Sequence, residues 1–213
     1  GGIGSIPRGK GGPVGQSHLQ KLRQQDLAEA EKLKNFKVNR NELLPYTNCE
    51  DLWARSACVG ALKAKMNNLH VVRELLTVIA KPEKSTIFTT PAGGLEEAKK
   101  TELQSKMQYI ASQLFVTTNS RQVHDLVFRH NLLDIIYVEL LQQPAPLPEM
   151  RAHYMRELLL NFSKYQKERV LAYLASPGPN SQPKGMLMVK HFYNDNVAYL
   201  FDEMLALDEK NNR

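Results

Sequence analysis

Apolar residues recur at helical spacing along most of the chain after about position 50. The longest stripe has spacings of three, four and seven, which place its members on one face of an α-helix. It consists of Leu52, Val59, Leu62, Met66, Leu69, Val72, Leu76 and Ile79. Asn67-Asn68 interrupts the stripe, and Pro82 ends it because proline cannot continue a helix. The pattern predicts a helical region from Leu52 to Ile79 with a break at the two asparagines.

The remaining apolar stripes predict further helices, the one at 150–175 being one helix or two. They cover 95–118, 132–143, 150–175 and 186–207, and a further segment begins after Ser120, a potential helix cap. Proline and glycine predict loops at 81–94 and 176–185. No run alternates convincingly with period two, and the best strand candidate, 86–90, would have no partner strand. The predicted fold class is all-α.

The segment 132–143 is apolar on more than one side. One stripe is Leu133, Ile136, Leu140 and Leu141, and a second is Leu132, Ile135 and Val138. A helix that is apolar on most sides must be covered on most sides, either by its own chain or by a partner. We expect this to be the most buried element, packed against the helix that bears Leu158, Leu159 and Phe162. An exposed patch of Leu132, Ile135 and Val138 would instead be a partner-binding surface.

Parts of this pattern recur about 45 residues apart. Leu114-Phe115 corresponds to Leu159-Leu160, and the segment 132–174 joins an apolar helix, a proline-containing connection and a second helix containing Leu-Leu-Leu-Asn-Phe-Ser. In these features the chain resembles armadillo and HEAT repeats over about residues 52–175, which implies stacked helices that bind other proteins. The alternative is an irregular helical bundle, whose apolar periodicities would be similar.

The basic charge is concentrated in residues 1–40, which carry eight Lys or Arg and three acids, a net charge of +5. Residues 41–213 carry twenty Lys or Arg and nineteen acids, a net charge of +1. This near-neutrality argues against a nucleic-acid surface spread over this part of the chain. Residues 1–16 contain seven glycines and two prolines and are predicted to be extended. We therefore expect a flexible, glycine-rich tail and a basic amphipathic helix in 1–40, forming an extended arm, and an all-helical domain in 41–213.

No motif predicts catalysis, a metal or a cofactor. Residues 4–10 fit most of a P-loop, but Gly11 occupies the position at which a P-loop has the Ser or Thr whose hydroxyl binds magnesium. Glu149, His153 and Glu157 share a predicted helix face, although one such row supplies too few metal ligands. Cys49 and Cys58 are expected to be reduced thiols. No apolar stretch is long enough for a transmembrane helix.

These features favour a non-catalytic interaction subunit or adaptor of a larger protein assembly. Its expected partner-binding residues are Arg8, Lys10, Leu19 and Leu22 of the arm, with Leu132, Ile135 and Val138 of the body. The alternative is a ribosome-associated protein that binds RNA through the arm, although no aromatic residue precedes Phe36 for base stacking. The initial glycine, 25 residues without an acid and a pI near 9.2 favour a processed mitochondrial protein over a cytoplasmic or cytoskeletal one.

Overall fold

The computed structural model describes residues 63–84, 97–118 and 120–211, together with the single positions 20, 21, 24, 27 and 60. These residues are mostly helical, and no β-strand occurs among them. Among these residues, the α-helices with defined bounds are α1 Leu69–Ala80, α2 Glu97–Thr117, α3 Arg121–Arg129, α4 Leu133–Ile136, α5 Val138–Leu141, α6 Glu149–Ala175 and α7 Asp195–Asn211. Short 3₁₀ segments are Pro82–Lys84, Pro179–Ser181 and Lys184–His191. The all-α prediction is confirmed.

Local residues set both ends of α1. The Asn68 side chain accepts hydrogen bonds from the backbone amides of His70 and Val71, at 2.8 and 3.4 Å, and so caps the first turn. The helix ends at Ala80, before Lys81, because the residue preceding Pro82 disfavours helical backbone angles. The predicted break at the asparagines and the predicted end before the proline are both confirmed.

Helix α1 lies at the centre of the described fold and packs against α2, α3, α4 and α6. Its apolar residues on several faces are buried accordingly, among them Val72, Leu76 and Val78. The Gln108 side chain of α2 donates a 2.8 Å hydrogen bond to the carbonyl of Ile79, one of the last carbonyls of α1. Helix α1, which is apolar on several faces, is thus covered by its own chain.

The segment 132–143 is not one helix, contrary to the prediction. Tyr137 separates α4 from α5 and points inward, fully buried. Outside this segment, the main neighbour of α4 is α1 and that of α5 is Lys184–His191. The helix that bears Leu158, Leu159 and Phe162, α6, contacts the segment through Tyr173, whose ring lies 5.8 Å from that of Tyr137 and whose hydroxyl donates to Asp134. Ile136 is buried as expected, but seven of the twelve residues of 132–143 are buried, the same number as in α1.

Two further regions differ from simple helices. Gln166 has non-helical backbone angles, φ −141° and ψ 45°, and divides α6 into two parts, one of the two predicted possibilities. The predicted helix at 186–207 is a 3₁₀ segment, a turn and then α7.

The expected tail in 1–16, the strand candidate 86–90, the cysteines and the domain boundary at 40 lie outside the described residues. No helix among the described residues has the length and apolar character needed to cross a membrane.

Candidate interaction surface

The segment Lys184–His191 turns one apolar row towards the solvent. In a 3₁₀ helix residues three apart are eclipsed, so Met186, Val189 and the following Phe192 lie in one row. All three are exposed, with Phe192 at 42%. The opposite side carries Met188 and His191, which are buried. A segment with this division has one face fixed to the body and one apolar face uncovered.

The inner face is fixed at its start by Lys184. Its ammonium group lies 2.9 Å from the Asp134 carboxylate and 4.3 Å from the centroid of the Tyr173 ring. The Tyr173 hydroxyl donates to the same carboxylate at 2.7 Å, and the Tyr137 hydroxyl donates to the Lys184 carbonyl at 3.1 Å. Burial raises the pKa of Tyr137 and that of Tyr173, the latter helped by Asp134, so both hydroxyls stay protonated donors. This network holds the segment against α4 and α6.

His191 fixes the other end of the segment through a chain of hydrogen bonds. Its Nε2 lies 2.8 Å from the Leu141 carbonyl, and its Nδ1 lies 3.1 Å from the Tyr193 hydroxyl. The Leu147 amide donates to that hydroxyl at 3.0 Å. Because the Leu141 carbonyl can only accept, the His191 Nε2 carries a proton and donates to it. The His191 ring is buried, so these hydrogen bonds lie inside the fold.

The start of α7 is fixed to the start of α6. The Asn194 side chain caps α7 by accepting from the amides of Asn196 and Val197, at 3.1 and 3.3 Å. The side-chain amides of Asn194 and Asn196 donate to the two carboxylate oxygens of Glu149, at 2.8 and 2.5 Å. Glu149 thereby sets the direction in which α7 leaves the turn.

Helix α7 continues the exposed apolar row. The Phe192 ring packs on that of Phe201, with centroids 4.8 Å apart, and Leu205 follows Phe201 by one turn and is 49% exposed. We call Met186, Val189, Phe192, Phe201 and Leu205 the apolar strip; Phe201 is half-buried and the other four are exposed. Contiguous exposed apolar side chains of this kind mark interaction sites more often than isolated ones do.

The α7 end of the apolar strip lies in an acidic setting. Positions 195–208 contain four acids, Asp195, Asp202, Glu203 and Asp208, and no Lys or Arg. Asp202 and Asp208 are each three residues from Leu205, which places them beside it on the helix surface. Both are exposed. A partner segment lying on this end would therefore meet an apolar row with carboxylates on its flanks.

The body residues proposed for partner binding do not form an exposed patch. Leu132 and Val138 are buried, and Ile135 is half-buried against the same core. They are covered by the chain's own elements, because α1 packs on α4 and Lys184–His191 packs on α5. The arm residues Arg8, Lys10, Leu19 and Leu22 lie outside the described residues, as does the P-loop-like stretch.

The row Glu149, His153 and Glu157 does not converge on one point. Glu149 binds the asparagines before and within α7, whereas His153 and Glu157 both contact Arg156. Within 63–84, 97–118 and 120–211, no group of three His, Cys, Asp or Glu side chains is arranged to hold a metal ion. His124 is buried and His130 is exposed.

Sequence reasoning missed the apolar strip, although its spacings are visible in the sequence. Met186, Val189 and Phe192 are three apart, and Phe201 and Leu205 are four apart, which is also the spacing of a buried helix face. No family model, no curated protein and no solved structure matches the chain. The geometry of the described residues therefore carries the functional argument alone.

Proposed function

We propose that the protein is a non-catalytic interaction subunit of a larger assembly, and that the apolar strip binds a basic amphipathic helix of another subunit. The observation that carries this proposal is the continuity of the strip across two separately fixed elements, Lys184–His191 and α7. Exposure of apolar surface to water costs about 25 cal/mol for each Å². A partner that covered the strip would remove this cost.

Charge favours a basic partner segment over an acidic one. The partner's apolar residues would cover Phe192, Phe201 and Leu205, and its Lys or Arg side chains would face Asp202 and Asp208. Peripheral charge pairs of this kind act mainly on orientation and association rate. The armadillo-like arrangement belongs to the same proposal: 132–174 would be one repeat unit, with α4 and α5 leading into α6.

The test begins with affinity purification of the full chain from its native source and identification of a subunit that co-purifies in stoichiometric amount. Binding of that purified subunit is then measured for Phe192→Ser and Leu205→Ser. Both side chains are exposed, so folding should be preserved, and Tyr109→Ser is the matched control at an equally exposed site on α2. If the strip is the interface centre, each strip variant should lose at least about 2 kcal/mol, or roughly 30-fold in affinity.

Salt dependence supplies the second measurement. Asp202→Asn with Asp208→Asn should slow association and weaken its dependence on salt, with little change in the dissociation rate. Unchanged affinity in Phe192→Ser and Leu205→Ser, or an equal loss in Tyr109→Ser, would contradict the proposal. A change in self-association alone would identify a second copy of this chain as the occupant instead.

A further inference from the structure

A second surface, formed by α3 and the later part of α6, gathers arginines around one carboxylate. Arg121, Asp125 and Arg129 follow each other at intervals of four and therefore line one side of α3. Across from them, Arg169 Nη1 lies 2.5 Å from Asp125 Oδ1. The hydrogen bond from Arg169 lowers the pKa of Asp125, and the charges of Arg169, Arg121 and Arg129 contribute to this lowering. All three guanidinium groups are thus close enough to influence a single acid.

One carboxylate cannot neutralise three arginines, so this surface keeps a positive excess. Arg169 is held by Asp125 on one side and by the Phe128 ring, 4.7 Å from its central carbon, on the other. Arg121 and Arg129 are exposed at the two ends of α3. Guanidinium groups present planar sets of donors that match phosphate oxygens well.

An exposed aromatic ring lies against α3. Tyr165 is 39% exposed, and its ring lies nearly parallel to that of His124 on α3, with centroids 6.1 Å apart. The Lys164 ammonium group lies 5.5 Å from the Tyr165 centroid. We call Arg121, Asp125, Arg129, Lys164, Tyr165 and Arg169 the arginine patch; its net charge is +3, and Lys167 and Glu168, which lie within the same stretch of α6, leave that value unchanged.

We propose that the arginine patch binds single-stranded nucleic acid, with phosphates on Arg121 and Arg129 and a base stacked on Tyr165. A basic surface combined with an exposed aromatic ring is the arrangement by which single strands are held without sequence preference. An acidic protein segment would use the arginines but would gain less from the ring. This surface is separate from the apolar strip and does not depend on the function proposed for it.

The experiment measures binding of the full chain to a fluorescein-labelled oligouridine of about 20 nucleotides, long enough to cover one such site. Fluorescence anisotropy is recorded between about 50 and 200 mM salt, where phosphate contacts lose affinity steeply. Arg121→Gln with Arg129→Gln should lower affinity about tenfold or more and reduce the salt slope by about 1.4, since each phosphate contact contributes about 0.7. Arg73→Gln with Lys190→Gln is the control for equal charge loss at exposed positions elsewhere.

The aromatic contact has its own variant. Tyr165→Ala should weaken binding about fivefold or more through lost stacking, with little change in the salt slope. Tyr109→Ala, which removes an exposed tyrosine from α2, should leave binding unchanged. Circular dichroism confirms that each variant is folded before its affinity is compared.

Three results would overturn the inference. The first is an unchanged affinity in both patch variants. The second is a loss confined to Arg8→Gln with Lys10→Gln, which would assign nucleic-acid binding to the N-terminal arm. The third is equally tight binding of a labelled polyglutamate with no effect of Tyr165→Ala, which would assign the patch to an acidic protein segment.

Discussion

Acidification is expected to destabilise the contact between α3 and α6 through His124. This side chain is 1% exposed, and its Nε2 has no hydrogen-bond partner among the described residues. The Phe162 ring lies edge-on to it at 5.3 Å. Burial lowers the pKa of His124 below its ordinary value of 6.5, Arg169 lowers it further, and Asp125 opposes them. The folded protein therefore favours the neutral imidazole.

The direction of the pH effect follows from proton linkage. Because the pKa of His124 is lower in the folded protein than in the unfolded chain, the unfolded chain binds more protons between the two values. The associated stability is fully present above about pH 6.5 and is lost as the pH falls through the folded-state pKa. For one proton, the free energy of unfolding cannot decrease by more than about 1.4 kcal/mol per pH unit.

The assay is urea unfolding at several pH values between about 7.5 and 5, the range in which histidine titrates. His124→Phe keeps a ring beside Phe162 and removes the titrating group, and His130→Gln is the control at an exposed histidine. Stability at neutral pH is not diagnostic, because removing an unsatisfied nitrogen gains about 1–3 kcal/mol and overpacking costs a similar amount. The reasoning is refuted if His124→Phe loses stability with falling pH as steeply as the wild type.

Two further substitutions test the core and the start of α7. Ile136→Ala should lower the free energy of unfolding by about 2–5 kcal/mol, because Ile136 is 2% exposed and the truncation leaves a cavity; a loss below 1 kcal/mol would mean that the site collapses. Asn194→Ala should lower it by about 0.5–2 kcal/mol through loss of the cap. Asn194→Asp retains a capping oxygen but places a second carboxylate beside that of Glu149, so added salt should reduce its deficit by screening the repulsion and should reduce that of Asn194→Ala less.

The sequence predicted those features that depend on neighbouring residues. The limits of α1 follow from Asn68 and Pro82, which act within one turn of the helix ends. The break at Tyr137 and the 3₁₀ geometry of Lys184–His191 depend on partners distant in sequence. Tyr137 donates to Lys184, 47 residues away, and His191 bonds Leu141, 50 residues away. Periodicity carries no information about such contacts. The proline and glycine content of 176–185 predicted a loop there, although Lys184 is buried.

The same limit explains why Leu132, Ile135 and Val138 do not form an exposed patch. Two apolar stripes on one helix show that the helix must be covered, but they do not say by what. Leu132 and Val138 turned out to be covered by the chain itself, whereas Phe192 and Leu205, which looked like ordinary core positions, are exposed. Which apolar face remains uncovered depends on how the elements pack.

Charge placement changes the meaning of the nearly neutral composition of 41–213. The net charge of +1 argued against a nucleic-acid surface there, yet positions 195–208 hold four acids and no base while the arginine patch has a net charge of +3. The net charge of the whole segment hides one acidic and one basic surface, whose opposite charges cancel in the sum although a bound partner would experience each surface separately. Both surfaces adjoin α6: Arg156 lies over the Tyr199 ring of α7, at 5.6 Å, and Arg169 binds α3. The Gln166 break lies between these contacts, so the parts of α6 on its two sides contribute to the two surfaces.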